Sequence, residues 1–212
     1  MSTYMKALRR LEHDGQMAPS AIPARRRAVR EAEEVSARQP ATATATAPAE
    51  VEALFDRLRT LAAPGGAARV LVFAPVVVPG AARGVVEALA ARARELCLPV
   101  AVGELTRANG AALLASRGGD GRAPRPLDLD GPALAAGLRE WVDAAAAPLV
   151  LLDAPPLLRS VDAVLLGAVC DGVVLVAETG ATERGALRAA AERARDGGCR
   201  MLGVVLTRRD EG

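Results

Sequence analysis

From residue 49 onward, short runs of Val, Leu and Ala alternate with longer stretches in which apolar residues recur at helical spacing. Val51, Leu54, Phe55, Leu58 and Leu61 form one stripe, which predicts a helix over Glu50 to Ala62, closed by Pro64-Gly65-Gly66. Arg69 to Ala74 reads as a strand. Gly80 to Leu96 reads as a helix with Val85, Val86, Leu89 and Leu96 as its apolar positions. Leu98 to Val102 is a second strand, Asn109 to Ser116 a short helix, and the Gly/Pro-rich stretch Arg117 to Asp128 a loop. A helix capped by Asp130 carries Leu134, Leu138, Trp141 and Val142, with Pro132 in its first turn. Strands at Pro148 to Leu152, Gly172 to Val176 and Met201 to Leu206 follow, with a helix over Thr182 to Asp196 before the last, ended by Gly197-Gly198.

Near-continuous apolar strands separated by amphipathic helices define an α/β fold, a parallel sheet of about five strands with helices on both faces. The strand carrying Val70 to Phe73 is expected at its centre. In such sheets ligands sit beyond the carboxyl ends of the strands. The positions to examine are thus Pro75 to Gly84 after the first strand, Glu104 after the second and Asp153 after the third.

The N-terminal part has a different composition. Residues 1–48 form a basic segment followed by an Ala/Thr/Pro linker from Gln39 to Pro48, and residues 49–212 form the α/β domain. The first forty residues hold eight Lys or Arg against five Asp or Glu. Tyr4, Leu8 and Leu11 fall at helical spacing there, as a basic amphipathic helix or a solvated tail would place them.

Composition removes several kinds of chemistry. Lys6 is the only lysine and His13 the only histidine, both in the N-terminal segment, so the domain has neither a catalytic lysine nor a Ser-His or Cys-His pair. Cys97, Cys170 and Cys199 fit neither a zinc spacing nor a disulfide framework and are expected as buried free thiols. A net charge of +2 with interleaved signs gives no reason to expect nucleic acid. No apolar run reaches the length of a membrane span, and no signal-peptide core opens the chain, so a cytoplasmic location is expected.

One run is more specific than the fold. Val150-Leu151-Leu152-Asp153-Ala154-Pro155-Pro156 sets a carboxylate at the end of an apolar strand, as a Walker B motif does. It continues to Ser160-Val161-Asp162-Ala163, Cys170-Asp171-Gly172-Val173 and Leu202-Gly203-Val204-Val205. With Leu54-Phe55-Asp56-Arg57-Leu58 upstream, this resembles the bacterial tyrosine kinases, MinD-like P-loop proteins of capsule and exopolysaccharide assembly. The resemblance implies a P-loop NTPase-like fold, ATP with magnesium as cofactors, and a membrane-embedded chain-length regulator (a polysaccharide co-polymerase at the inner membrane) as partner. It implies membrane association only through that partner, and a homo-oligomer.

The departures fall on the nucleotide site. The family's P-loop ends in Gly-Lys-Ser/Thr, whose backbone N–H groups and lysine cradle phosphates and whose hydroxyl ligates magnesium. Here the stretch is Pro75-Val76-Val77-Val78-Pro79-Gly80-Ala81-Ala82-Arg83-Gly84, with Ala82 or Arg83 in the lysine's place and no hydroxyl after either. Pro75 and Pro79 each remove a donor. Glu104 alone can stand in for the family's second aspartate motif, and no tyrosine cluster is present, Tyr4 being the only tyrosine. In the family a helix bearing Glu and two Arg at three-residue spacing builds a ring; the same register here reads Ala53, Asp56 and Arg59, of which only Arg59 matches.

The expected vestigial nucleotide site is therefore Pro79, Gly80, Ala82, Arg83, Gly84, Glu104 and Asp153. Asp153 is the single catalytic or magnesium-binding candidate should the site be active. The reading taken is a non-catalytic relative of these kinases acting as a regulatory partner in exopolysaccharide or capsule biosynthesis. The alternatives are an active ATP-dependent tyrosine kinase or ATPase with an atypical loop, and an unrelated α/β binding domain.

Overall fold

The structure, a computed structural model, describes residues 48–60, 69–108, 110–117 and 122–208, all within the unit that runs from Ala41 to Gly212. The N-terminal stripe of Tyr4, Leu8 and Leu11, nearly all of the linker, and Leu61 lie outside the described residues. The element order is α1 (Pro48–Thr60), β1 (Arg69–Pro75), α2 (Arg83–Glu95), β2 (Val100–Ala108), β3 (Ala111–Ser116), β4 (Arg125–Leu127), α3 (Gly131–Ala145), β5 (Leu149–Asp153), α4 (Val161–Val169), β6 (Gly172–Thr179), α5 (Arg184–Asp196) and β7 (Met201–Arg208).

The strands form one sheet in the order β4-β3-β2-β5-β1-β6-β7. β2, β5, β1, β6 and β7 run parallel, with β1 in the middle of the five. β3 and β4 continue the sheet antiparallel beyond β2. The expected parallel sheet is thus present, with an antiparallel edge added.

Every residue of β1 is buried, because the strand has helices on both sides. Val70, Val72 and Ala74 join the core under α3, α4 and α5, while Leu71 and Phe73 join the core under α1 and α2. Gly103 in β2 leaves room for α3. A Cβ there would come within 3.1 Å of Trp141 Cη2 and 2.7 Å of Leu152 Cδ2. Trp141 is buried, on the stripe it shares with Leu134, Leu138 and Val142.

Several local expectations need correction. Ala111–Ser116 is a strand, not a short helix, pairing with β2 from Ala108↔Ala111 to Gly103↔Ser116. Backbone pairing outweighs the weak helical preference of its Ala and Leu residues, as tertiary context often does. β2 extends to Ala108, well past Val102, because β3 supplies partners for it. Arg125–Leu127 within the expected loop pairs with β3. α4 had not been expected; Ser160 caps it, its hydroxyl oxygen accepting from the Asp162 N–H at 3.1 Å. Asp130 occupies the cap position of α3 without accepting a hydrogen bond there; its own N–H donates to Asp128 Oδ1 at 3.1 Å. Leu96 is exposed at the end of α2. Cys199 is buried as expected, but Cys97, at a left-handed φ of 55° just after α2, is exposed.

Candidate functional site

The carboxyl ends of β1, β2 and β5 converge. Asp153, the last residue of β5, is in register with Phe73 of β1 on one side and Glu104 of β2 on the other. The loop after β5 is fastened to the one after β1: the Ala154 N–H donates to the Phe73 carbonyl (3.0 Å) and the Leu157 N–H to the Pro75 carbonyl (2.8 Å).

Between β1 and α2 the chain turns tightly on itself. Gly80 adopts φ of 79°, a conformation glycine takes without strain. The Ala81 N–H donates to the Val78 carbonyl (3.3 Å) and the Arg83 N–H to the Gly80 carbonyl (3.0 Å). Ala82 is fully buried. Pro79 offers no N–H, and Gly84 lies in the first turn of α2.

The side chains form a network of opposite charges. Arg83 Nη2 lies 3.6 Å from Glu104 Oε1, and Arg117 Nε lies 2.7 Å from Glu104 Oε2. Arg117 Nη1 reaches Glu87 Oε1 at 3.2 Å. Asp153 is 5% exposed beneath this network. Its carboxyl is pushed up to about 7, first by burial and then by the charges of Glu104 and Glu87, against which Arg83 pulls it down. Near neutral pH the group divides its time between acid and carboxylate.

Arg83, Glu104 and Asp153, singled out from the sequence, therefore share one electrostatic neighbourhood, with Pro79, Gly80, Ala82 and Gly84 in the adjoining turn. Arg117 and Glu87 belong to the network but carried no signal: Arg117 precedes a Gly-rich stretch and Glu87 sits on a helix face like any other acid. Asp162 and Asp171 serve elsewhere. Asp162 is buried in a two-pronged pair with Arg107, Nε to Oδ2 at 2.5 Å and Nη2 to Oδ1 at 2.8 Å. Asp171 Oδ2 accepts from the Val70 N–H at 2.7 Å, tying β6 to β1 at the opposite end of the sheet from Asp153.

The Arg107–Asp162 pair anchors the β2–β3 hairpin to α4. Removing the arginine strands a buried carboxylate, softened because Arg107 itself is half exposed. Arg107→Ala is expected to lower unfolding free energy by about 2 kcal/mol in denaturant melts, below the usual loss for a fully buried pair.

A magnesium nucleotide does not fit the residues present. The amides of Ala81 and Arg83 are spent within the turn, Arg83 is drawn to Glu104, and no hydroxyl follows it. Among the described residues no cluster of three or more metal-ligating side chains occurs.

The fold has solved counterparts. The kinase domain of the Escherichia coli tyrosine kinase ETK superposes with a TM-score of 0.58 at 18% identity, covering 78% of each chain. The fold is that of the bacterial tyrosine kinase domain. The BceF tyrosine kinase domain matches with a TM-score of 0.53 at 18% identity over 75% of this chain and 74% of its own. The VpsO kinase domain matches with a TM-score of 0.52 at 16% identity, over 78% of this chain and 100% of its own. In sequence, the tyrosine-protein kinase CpsD of Streptococcus agalactiae is 34% identical over 62 residues. That match spans 29% of this chain and 27% of the relative. No family model matches the chain. The resemblance to bacterial tyrosine kinases read from the sequence is borne out, in the fold and over that stretch of 62 residues.

Proposed function

We propose that this chain is a non-catalytic member of the bacterial tyrosine kinase group, serving capsule or exopolysaccharide assembly as a regulatory partner of a membrane-embedded chain-length regulator. The observation that carries the reading is the state of the phosphate-binding turn. Where a kinase of this fold needs a lysine and a hydroxyl, Arg83 lies against Glu104, with which Arg117 is also paired, and no hydroxyl follows it. Phosphoryl transfer rests on positioned positive charge and a metal to offset charge building on the transferred group. Arginine's planar fork does not reproduce the compact ammonium of lysine at that site.

Turnover is the direct test. Purified full-length protein with magnesium-ATP is expected to release ADP no faster than its Asp153→Ala variant. Hydrolysis or tyrosine phosphorylation that Asp153→Ala abolishes would overturn the reading in favour of an active kinase with an atypical loop.

The partner rests on the family likeness. Among the described residues no helix is long and apolar enough to cross a membrane. The basic segment with Tyr4, Leu8 and Leu11 is the docking element in this account, and the linker gives it reach. Affinity capture comparing the full chain with one starting at Ala49 tests it: the full chain is expected to recover the chain-length regulator and the shorter one to lose it.

A further inference from the structure

At the other end of the sheet from Asp153, a cavity of about 160 Å³ opens where β1 and β5 begin. Its walls are apolar: Phe55 and Leu58 of α1, Leu89 of α2, Leu98, and Pro148 with Leu149 at the start of β5. Among the described residues one charged side chain lines it, that of Arg69, the first residue of β1. Arg69 is 6% exposed, and its Nε and Nη1 are buried without a hydrogen-bond partner. Its backbone is conventionally placed, with the N–H donating to the Pro148 carbonyl at 2.9 Å. The nearby carboxylate of Asp171 is engaged with the Val70 N–H.

A guanidinium is always charged, and burying it without an anion is among the costliest arrangements in a protein interior. Such groups are ordinarily paired. Among the described residues Nε and Nη1 have no partner, and an apolar cavity lies beside them. Cavities of this volume lined by aliphatic and aromatic side chains admit a benzene-sized body. One positive group among apolar walls matches one negative charge on a compact apolar molecule. A phosphate dianion would bring a second charge with nothing to meet it.

We propose that this cavity is a binding site for a small apolar monocarboxylate, its carboxylate on Arg69 and its hydrocarbon body against Phe55, Leu58 and Leu89. The site is separate from the vestigial nucleotide site and does not depend on the function proposed above. The occupant bridges α1 and the starts of β1 and β5, so its binding tightens the packing of α1 on the sheet.

Benzoate is the probe, with toluene as its uncharged counterpart, titrated into the full-length protein and followed by calorimetry and by amide NMR. Benzoate is expected to bind at about millimolar affinity or tighter and to shift the amides of Arg69 and Leu149, with toluene at least about tenfold weaker. Arg69→Leu is expected to reverse the preference, losing benzoate and keeping toluene. Should Arg69→Leu fail to fold, Leu98→Trp, which fills the cavity from its partly exposed wall, serves instead and is expected to abolish binding of both. Absence of benzoate binding up to about 10 mM, equal affinity for the two probes, or benzoate binding that survives both substitutions would overturn the proposal.

Discussion

Replacing Asp153 by Asn is expected to make the protein more stable above neutral pH, by about 4 kcal/mol, and to leave it nearly unchanged near pH 4. The carboxyl is raised from its ordinary 3.8 to about 7, so the folded state holds this proton more tightly than the unfolded chain does. A raised value means that its contribution is fully present below about 4 and is lost as pH climbs through 7. Each unit of difference corresponds to about 1.4 kcal/mol, which sets the size of the loss. Asn keeps the shape of the neutral acid and cannot ionise, so the variant should lack this slope between pH 4 and 7. Urea melts at several pH values read it directly. Parallel stability profiles for the two proteins would show that Asp153 ionises freely in the fold. The sign also bears on function: a carboxylate retained to hold a metal costs stability until the metal arrives, and Asp153→Asn would show the cost without the benefit.

Trp141→Ala is expected to cost about 3–5 kcal/mol, the range for deleting a buried aromatic. The ring is 3% exposed and fits over the bare Cα of Gly103, where even a methyl group would crowd it. The guanidinium of Arg122 lies 4.8 Å over the ring centroid, and its Nη1 donates to the Trp141 carbonyl at 3.2 Å. Trp141 Nε1, however, is buried without a partner, a cost already present in the folded state. Trp141→Phe removes that unmet donor along with part of the ring and should therefore lose far less, about 1 kcal/mol. Similar losses for Ala and Phe in chemical denaturation would mean that the indole N–H, not the ring's area, matters most.

The parallel part of the fold was legible because its strands are buried on both sides and read as unbroken apolar runs. Val70 to Phe73, Val150 to Leu152 and Val173 to Val176 cannot be mistaken for surface helix. The antiparallel edge was missed for a physical reason. Ala111-Ala112-Leu113-Leu114 has good helix formers and no β-branched residue, so propensity pointed the wrong way. The better signal stood just before it in the sequence: Asn109-Gly110 is the dipeptide that favours a two-residue hairpin, and Ala108 does pair with Ala111. At the candidate site, Asp153 was found because strand-end carboxylates are diagnostic of position. Its neighbours Arg117 and Glu87 were not, since long-range charge pairing leaves no local pattern. Asp162 and Asp171 were noticed for their spacing, but only the fold shows that one anchors a hairpin and the other braces a strand start.

β1 gives alternate side chains to two separate cores, and this binds the fates of the two faces together. Pulling α1 and α2 away would strip Leu71 and Phe73 of their cover, while loosening α3, α4 and α5 would do the same to Val70, Val72 and Ala74. Neither layer can melt without loosening the strand on which the other is built. In kinetic terms the parallel strands are expected to open as one cooperative unit, which native-state hydrogen exchange would read. The outer ribbon of β3 and β4 is tied to one of those cores only, through Ala112, Leu114 and Leu127.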